Sequence, residues 1–159
     1  MALMNIFYGC HRDGSHSLGR SCLQGGLTNI GLGTTYSSMS LYKTRPFSRM
    51  ARKAGITDDA LKGAVEEMRN GIIHADLGGN VYKQRIALPG RGKRGGSRVI
   101  VAANIRDRWI FVHCYLKGDK ADITPDEEYA FKEFARVYLG LSVEMIQAAV
   151  ERGVLEVVV

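Results

Sequence analysis

The chain has 159 residues, is 45% hydrophobic and 24% charged, and carries a formal net charge of +6. That is one globular domain's worth of sequence with enough apolar residues for a core, and its positive balance leans toward an anionic partner. Cys10, Cys22 and Cys114 are odd in number and lack CxxC spacing, and no apolar run approaches the roughly 20 residues that cross a bilayer. A disulfide framework, a zinc site and a membrane span are therefore not expected; no metal or small-molecule cofactor is, and the expected location is cytoplasmic.

Residues 1–38 are rich in Gly and Ser, carry few charges and show no period of 2 or 3.6. Such a stretch cannot bury enough apolar surface to offset chain entropy. It is expected to be a disordered extension or a mis-assigned start, with Met39 the true start and one domain over 39–159. Patterned sequence follows. A strand is predicted over 41–47, with Pro46 near its edge or end. A short basic helix over 48–54 is stopped by Gly55. Thr57 caps a helix reaching Asn70, with Asp58 and Asp59 in its first turn and Ala60, Leu61, Ala64, Val65 and Met68 as its buried stripe. Residues 77–80 read as a turn. Strands are predicted over 81–88, 97–104 and 108–116, the last two joined by a link short enough for a hairpin.

Thr124-Pro125-Asp126-Glu127 combines an N-cap threonine, a first-turn proline and a glutamate three residues on. It opens a helix whose apolar face is Phe131, Phe134, Ala135, Tyr138 and Leu141. Ser142 begins another helix to 152, and 154–159 is a final β-prone run. The order β-α-α-β-β-β-α-α implies an α+β architecture, an antiparallel sheet with helices packed on one face.

The charge is concentrated. Lys83, Arg85, Arg91, Lys93, Arg94 and Arg98 occupy two predicted strands and the glycine-rich loop between them without an intervening acid. A cluster that dense repels itself and is useful mainly beside a polyanion such as a nucleic-acid backbone. Strand alternation puts Lys83 and Arg85 on one face and Gln84 and Ile86 on the other. If the strands pair across 89–96, Lys83, Arg85 and Arg98 converge. The strand 108–116 is apolar on both faces, with Trp109, Phe111, His113 and Tyr115 opposed to Ile110, Val112, Cys114 and Leu116, so it belongs at the sheet's centre. Arg91-Gly92-Lys93 is no P-loop, since it lacks GK[ST] and a following helix. His74 reads as a surface residue and His113 as a hydrogen-bonded core residue.

Tyr82-Lys83-Gln84-Arg85, then Gly92-Lys93-Arg94-Gly95-Gly96-Ser97-Arg98-Val99-Ile100, then Tyr115-Leu116-Lys117 followed by Asp119 and Asp122, resembles the RelE superfamily of bacterial type II toxins. The GKRGGSR loop is most similar to the HigB-like branch. The resemblance covers about residues 39–140. It implies a small α+β toxin that enters the ribosomal A site, cleaves mRNA and so represses translation, and is held inactive by a cognate antitoxin. Its partners would then be that antitoxin, mRNA and the ribosome. Carried onto this chain, Lys83 and Arg85 match two basic strand positions, Arg98 matches the arginine on the scissile phosphate, and Lys117 matches a basic residue after the last core strand. Gly118 stands where many members have a catalytic arginine, and no tyrosine lies near Ile123 or Thr124.

Cleavage by the RNA's own 2′-hydroxyl needs a base, cations on the phosphorane and an acid for the leaving 5′-oxygen. Lys83 is the candidate base on this reading, with Arg85 and Arg98 stabilising the phosphorane. Arg91, Lys93, Arg94, Lys117 and Lys120 would bind phosphate, and Tyr115 at its strand end could stack on a base. The alternatives are a ParE-like inhibitor of DNA gyrase on the same scaffold and a non-catalytic nucleic-acid-binding module.

Overall fold

A computed structural model describes residues 40–159 except Pro89, Arg91 and Arg106, with the side chains of residues 92–94 also left out. The expected extension over 1–38 and the start at Met39 lie outside the described residues. The first strand, β1 (Ser40–Thr44), ends where Thr44 turns into the cap of α1 (Arg45–Ala54). The Thr44 hydroxyl accepts the Phe47 amide at 3.3 Å, and Pro46 sits in the first turn, where its missing N–H costs nothing. Pro46 thus begins a helix rather than ending a strand, which moves the predicted 41–47 and 48–54 boundary. Gly55, at φ 72°, closes α1 in a left-handed cap. Thr57 caps α2 (Asp58–Arg69) as expected, and Leu61, Ala64, Val65 and Met68 are its buried face.

The predicted turn is present at its second half, and another strand runs into it. β2 (Ala75–Gly78) pairs antiparallel with β3 (Val81–Leu88), and the tight turn between them, Gly79-Asn80, has φ values of 61° and 62°. Two consecutive left-handed residues give the reversal a two-residue hairpin needs. β4 (Gly92–Asn104) and β5 (Arg108–Leu116) follow, then α3 (Pro125–Tyr138), α4 (Val143–Glu151) and β6 (Leu155–Val157). Thr124 and Glu127 form the reciprocal capping box of α3. The α3 end is held by Arg108, whose guanidinium donates to the carbonyls of Tyr138, Leu139 and Leu141 at 2.8–3.3 Å.

The α+β class is observed, with a six-stranded sheet in the order β2-β3-β4-β5-β1-β6. The sheet is mixed rather than wholly antiparallel, because β1 lies parallel to β5. Alternation fixes which face a residue takes but not the direction of a partner distant in sequence. The helices also occupy both faces. Phe47, Ala51, Leu61, Val65 and Met68 of α1 and α2 pack with Tyr82, Ile86, Val99, Val101, Trp109 and Phe111. On the opposite face, Phe131 of α3 stacks on His113 with ring centroids 5.6 Å apart. A central strand that is apolar on both sides needs cover on both.

One irregularity decides the site. Ile100 pairs with His113 but Val101 pairs with Phe111, so Val112 is an extra residue in β5. The bulge reverses the parity of the strand beyond it. Phe111 and Cys114 face α1 and α2, while His113 and Tyr115 turn to the other face, opposite Ile100 and Arg98. The predicted grouping of Trp109, Phe111, His113 and Tyr115 on one face is therefore corrected.

Candidate active site

The β3–β4 register sets Arg85 directly opposite Arg98 and Lys83 opposite Ile100, and Arg98 is in turn opposite Tyr115. Lys83, Arg85, Arg98 and Tyr115 thus share the sheet face that α3 covers only in part. Directly opposed cations repel, so the local hydrogen bonds determine how the cluster is tolerated. Arg98 is 6% exposed, and its Nη1 is buried with no hydrogen-bond partner. A buried, unmet guanidinium donor costs free energy unless an anion completes it.

Lys83 is bridged by an acid. Its Nζ donates to both carboxylate oxygens of Asp122 at 2.8 Å, and the Tyr115 hydroxyl donates to the same carboxylate at 3.0 Å. Asp122 lies in the segment between β5 and α3 and also accepts the Ile123 amide at 2.8 Å. The Lys83 bond holds the Asp122 carboxyl below its usual value; burial opposes the shift, and the Ile123 and Tyr115 bonds reinforce it. Burial, then the bond to Asp122, pushes the Tyr115 phenol up to about 12, with Arg98 pulling the other way. Tyr115 consequently stays a proton-bearing donor at neutral pH. Its ring is buried, so the hydroxyl, not an exposed stacking surface, is what it offers a ligand.

Arg85 makes a different contact. Its Nε donates to Nε2 of His74 at 3.2 Å. The His74 backbone amide donates to Oε1 of Gln84 at 3.0 Å, and Gln84 is buried and anchored by its own bonds to Glu67 and the Ile72 carbonyl. Partial burial, then the charges of Arg85, Arg98 and Lys83, hold the His74 pKa below the usual imidazole value, with Asp122 opposing them. His74 is exposed, as the sequence suggested, but it stands at the cationic cluster. The β2–β3 hairpin brings it there, and its β2 arm overlaps the predicted turn only at Leu77 and Gly78.

Residues 39–158 match the family model described as the RelE toxin of the RelE / RelB toxin-antitoxin system. The chain belongs to the RelE toxin family. No curated protein matches it. RelE toxins pair with an antitoxin of the RelB type and are generally endoribonucleases that repress translation.

Against this RelE-family frame the remaining site candidates separate. Lys120 pairs with Glu127 of the α3 capping box rather than with Asp122. Lys117 is exposed just past the end of β5. Gly118, also exposed, has no left-handed φ, and a Cβ there would meet nothing within 4 Å. The Lys93 and Arg94 backbone lies on an extension of β4, which runs further toward the loop than the predicted 97–104; Arg91 lies outside the described residues. Among the described residues, no group of three or more His, Cys, Asp and Glu side chains is placed to hold a metal, and no helix is long and apolar enough to cross a membrane.

Proposed function

We propose that the chain is the toxin of a type II toxin–antitoxin system, cleaving mRNA in the ribosomal A site through the RNA's own 2′-hydroxyl and without a metal. The observation that carries this reading is the unmet Nη1 of Arg98, buried opposite Arg85 and Tyr115. Donors held in place before the ligand arrives suit charge that develops in a transition state, because nothing need reorganise as it forms. Arg98 and Arg85 stabilise the phosphorane. A phosphate replaces the Asp122 carboxylate as the partner of Lys83 and of the Tyr115 hydroxyl. Arg91, Lys93, Arg94 and Lys117 hold the flanking RNA backbone, whereas Lys120 is anchored to α3. The GKRGGSR loop supports placement in the HigB-like branch, and a cognate antitoxin holds the toxin inactive.

Gyrase inhibition by contact, the ParE-like alternative, gives no reason to keep a buried guanidinium donor unmet. Induction of the full chain in a heterologous bacterium separates the two. Growth arrest with cut ribosome-bound messages, lost in Arg98→Ala and Lys83→Ala, is the expected result. Arrest with DNA-damage signalling and intact messages would move the reading to gyrase.

A further inference from the structure

Cleavage through a 2′-hydroxyl needs a group that takes a proton, and the three cations that face the phosphate are poorly arranged for it. Arg85 and Arg98 are always protonated. Lys83 donates to both carboxylate oxygens of Asp122, and it meets an arriving phosphate as a donor too. His113, the other imidazole on this face, is partly covered, stacked on Phe131 and 6.2 Å from the Tyr115 ring.

His74 differs in each respect. An arginine N–H can only donate, so Nε2 of His74, its acceptor at 3.2 Å, carries a lone pair directed at the cationic face. The residue is exposed to an incoming strand, while its backbone is pinned to buried Gln84. The charged groups that act on it are Lys83 and Arg85 of β3, Arg98 of β4 and Asp122 of the segment before α3, three cations to one carboxylate. Partial burial first, and then that balance of charge, keep the ring neutral at pH 7, in the form that accepts a proton.

Resting on the ribonuclease reading, we propose that His74 is the general base of this site. When Arg85 turns to the phosphate, Nε2 takes the proton of the 2′-hydroxyl. The 2′-oxygen forms a bond to the adjacent phosphorus, the bond from phosphorus to the 5′-oxygen breaks, and that oxygen leaves with a proton from Lys83. The products are a 2′,3′-cyclic phosphate and a 5′-hydroxyl. Solvent then removes the proton from His74 and restores the one on Lys83.

His74→Gln tests this, because glutamine still accepts from Arg85 but takes no proton at neutral pH. Single-turnover cleavage on programmed ribosomes should fall about 10²- to 10⁴-fold, with affinity for a 2′-O-methyl RNA unchanged within about threefold. In the full-length wild type, the acidic limb of the pH–rate profile should lie below the ordinary imidazole value of 6.5. In His74→Gln that limb should be absent, and imidazole added to His74→Gly should restore part of the rate. Cleavage by His74→Gln at nearly wild-type rate with the limb intact would overturn the assignment while the ribonuclease reading stood. Loss of RNA affinity along with rate, and no imidazole rescue, would make His74 a structural residue and overturn it equally. No cleavage by the wild type would remove both.

Discussion

Asp122 is the acid at the centre of the basic face, and replacing it by asparagine should tighten RNA binding. The carboxylate occupies the donors of Lys83 and Tyr115 that a phosphate would use. The Lys83 side chain is 12% exposed but that of Asp122 is 56% exposed, so the pair must be discounted toward surface values, about 0.5–1 kcal/mol. A carboxylate displaced but still about 6 Å from a bound phosphate repels it by roughly 0.7 kcal/mol at a water-like dielectric. The two effects sum to about 1–2 kcal/mol, or 5- to 30-fold in affinity. Fluorescence anisotropy with a 2′-O-methyl RNA, at low salt and again near 0.5 M salt, reads this, and the gain should shrink as salt screens it. Asp119→Asn, at an exposed neighbour, is the control and should change affinity less than twofold. Equal or weaker binding by a folded Asp122→Asn protein would refute the view that this carboxylate competes with phosphate. The sign with pH follows from the same bonds. The carboxyl is held below its ordinary 3.8, so the bridge is complete above that value and is lost only as pH falls through the lowered one.

Arg98→Met should abolish cleavage yet raise unfolding stability by about 1–2 kcal/mol in urea denaturation, because a flexible apolar side chain removes an unmet buried donor. A large destabilisation would mean that the guanidinium serves the fold. Gly118→Arg should fold normally, since its Cβ meets nothing and its φ is not left-handed, and should raise the cleavage rate several-fold by adding a cation beside Lys117 at the end of β5. Asp58 joins Lys43 at 2.7 Å and the Val159 amide at 3.1 Å, tying β1 and the chain end to α2. Burial would raise its pKa, but Lys43 and the Val159 amide together bring it below 3.8. Its contribution is complete above 3.8 and lost as pH falls through the lowered value, so Asp58→Asn should cost about 1 kcal/mol at pH 7 and flatten the acid limb of thermal stability.

Much of this fold follows from local chemistry. The strands 81–88 and 108–116 have the predicted limits because β-branched and aromatic residues fill them, and α3 begins where its capping box requires. β2 was not legible, because Ala-Asp-Leu-Gly has no β-branched residue, ends in a glycine and is followed by another; its partner strand defines it. Pro46 reads equally as a strand end or a first helical turn, and the Thr44 cap settles it. In the site, Lys83, Arg85 and Arg98 converge by simple alternation across one hairpin. Tyr115 reaches them through a bulge at Val112 that no periodicity announces. His74 arrives through the short β2–β3 hairpin and Asp122 by long-range packing, and together they add a hydrogen-bond acceptor and an acid to a basic face.

The central claim is tested most directly on ribosomes programmed with two messages, one all-ribose and one with a single 2′-deoxy nucleotide at the A-site cleavage position. The full chain should cut the first, leaving a 2′,3′-cyclic phosphate and a 5′-hydroxyl. It should leave the second intact, and Arg98→Ala should cut neither. Cleavage of the deoxy message, or an intact all-ribose message under the wild-type chain, would contradict the account.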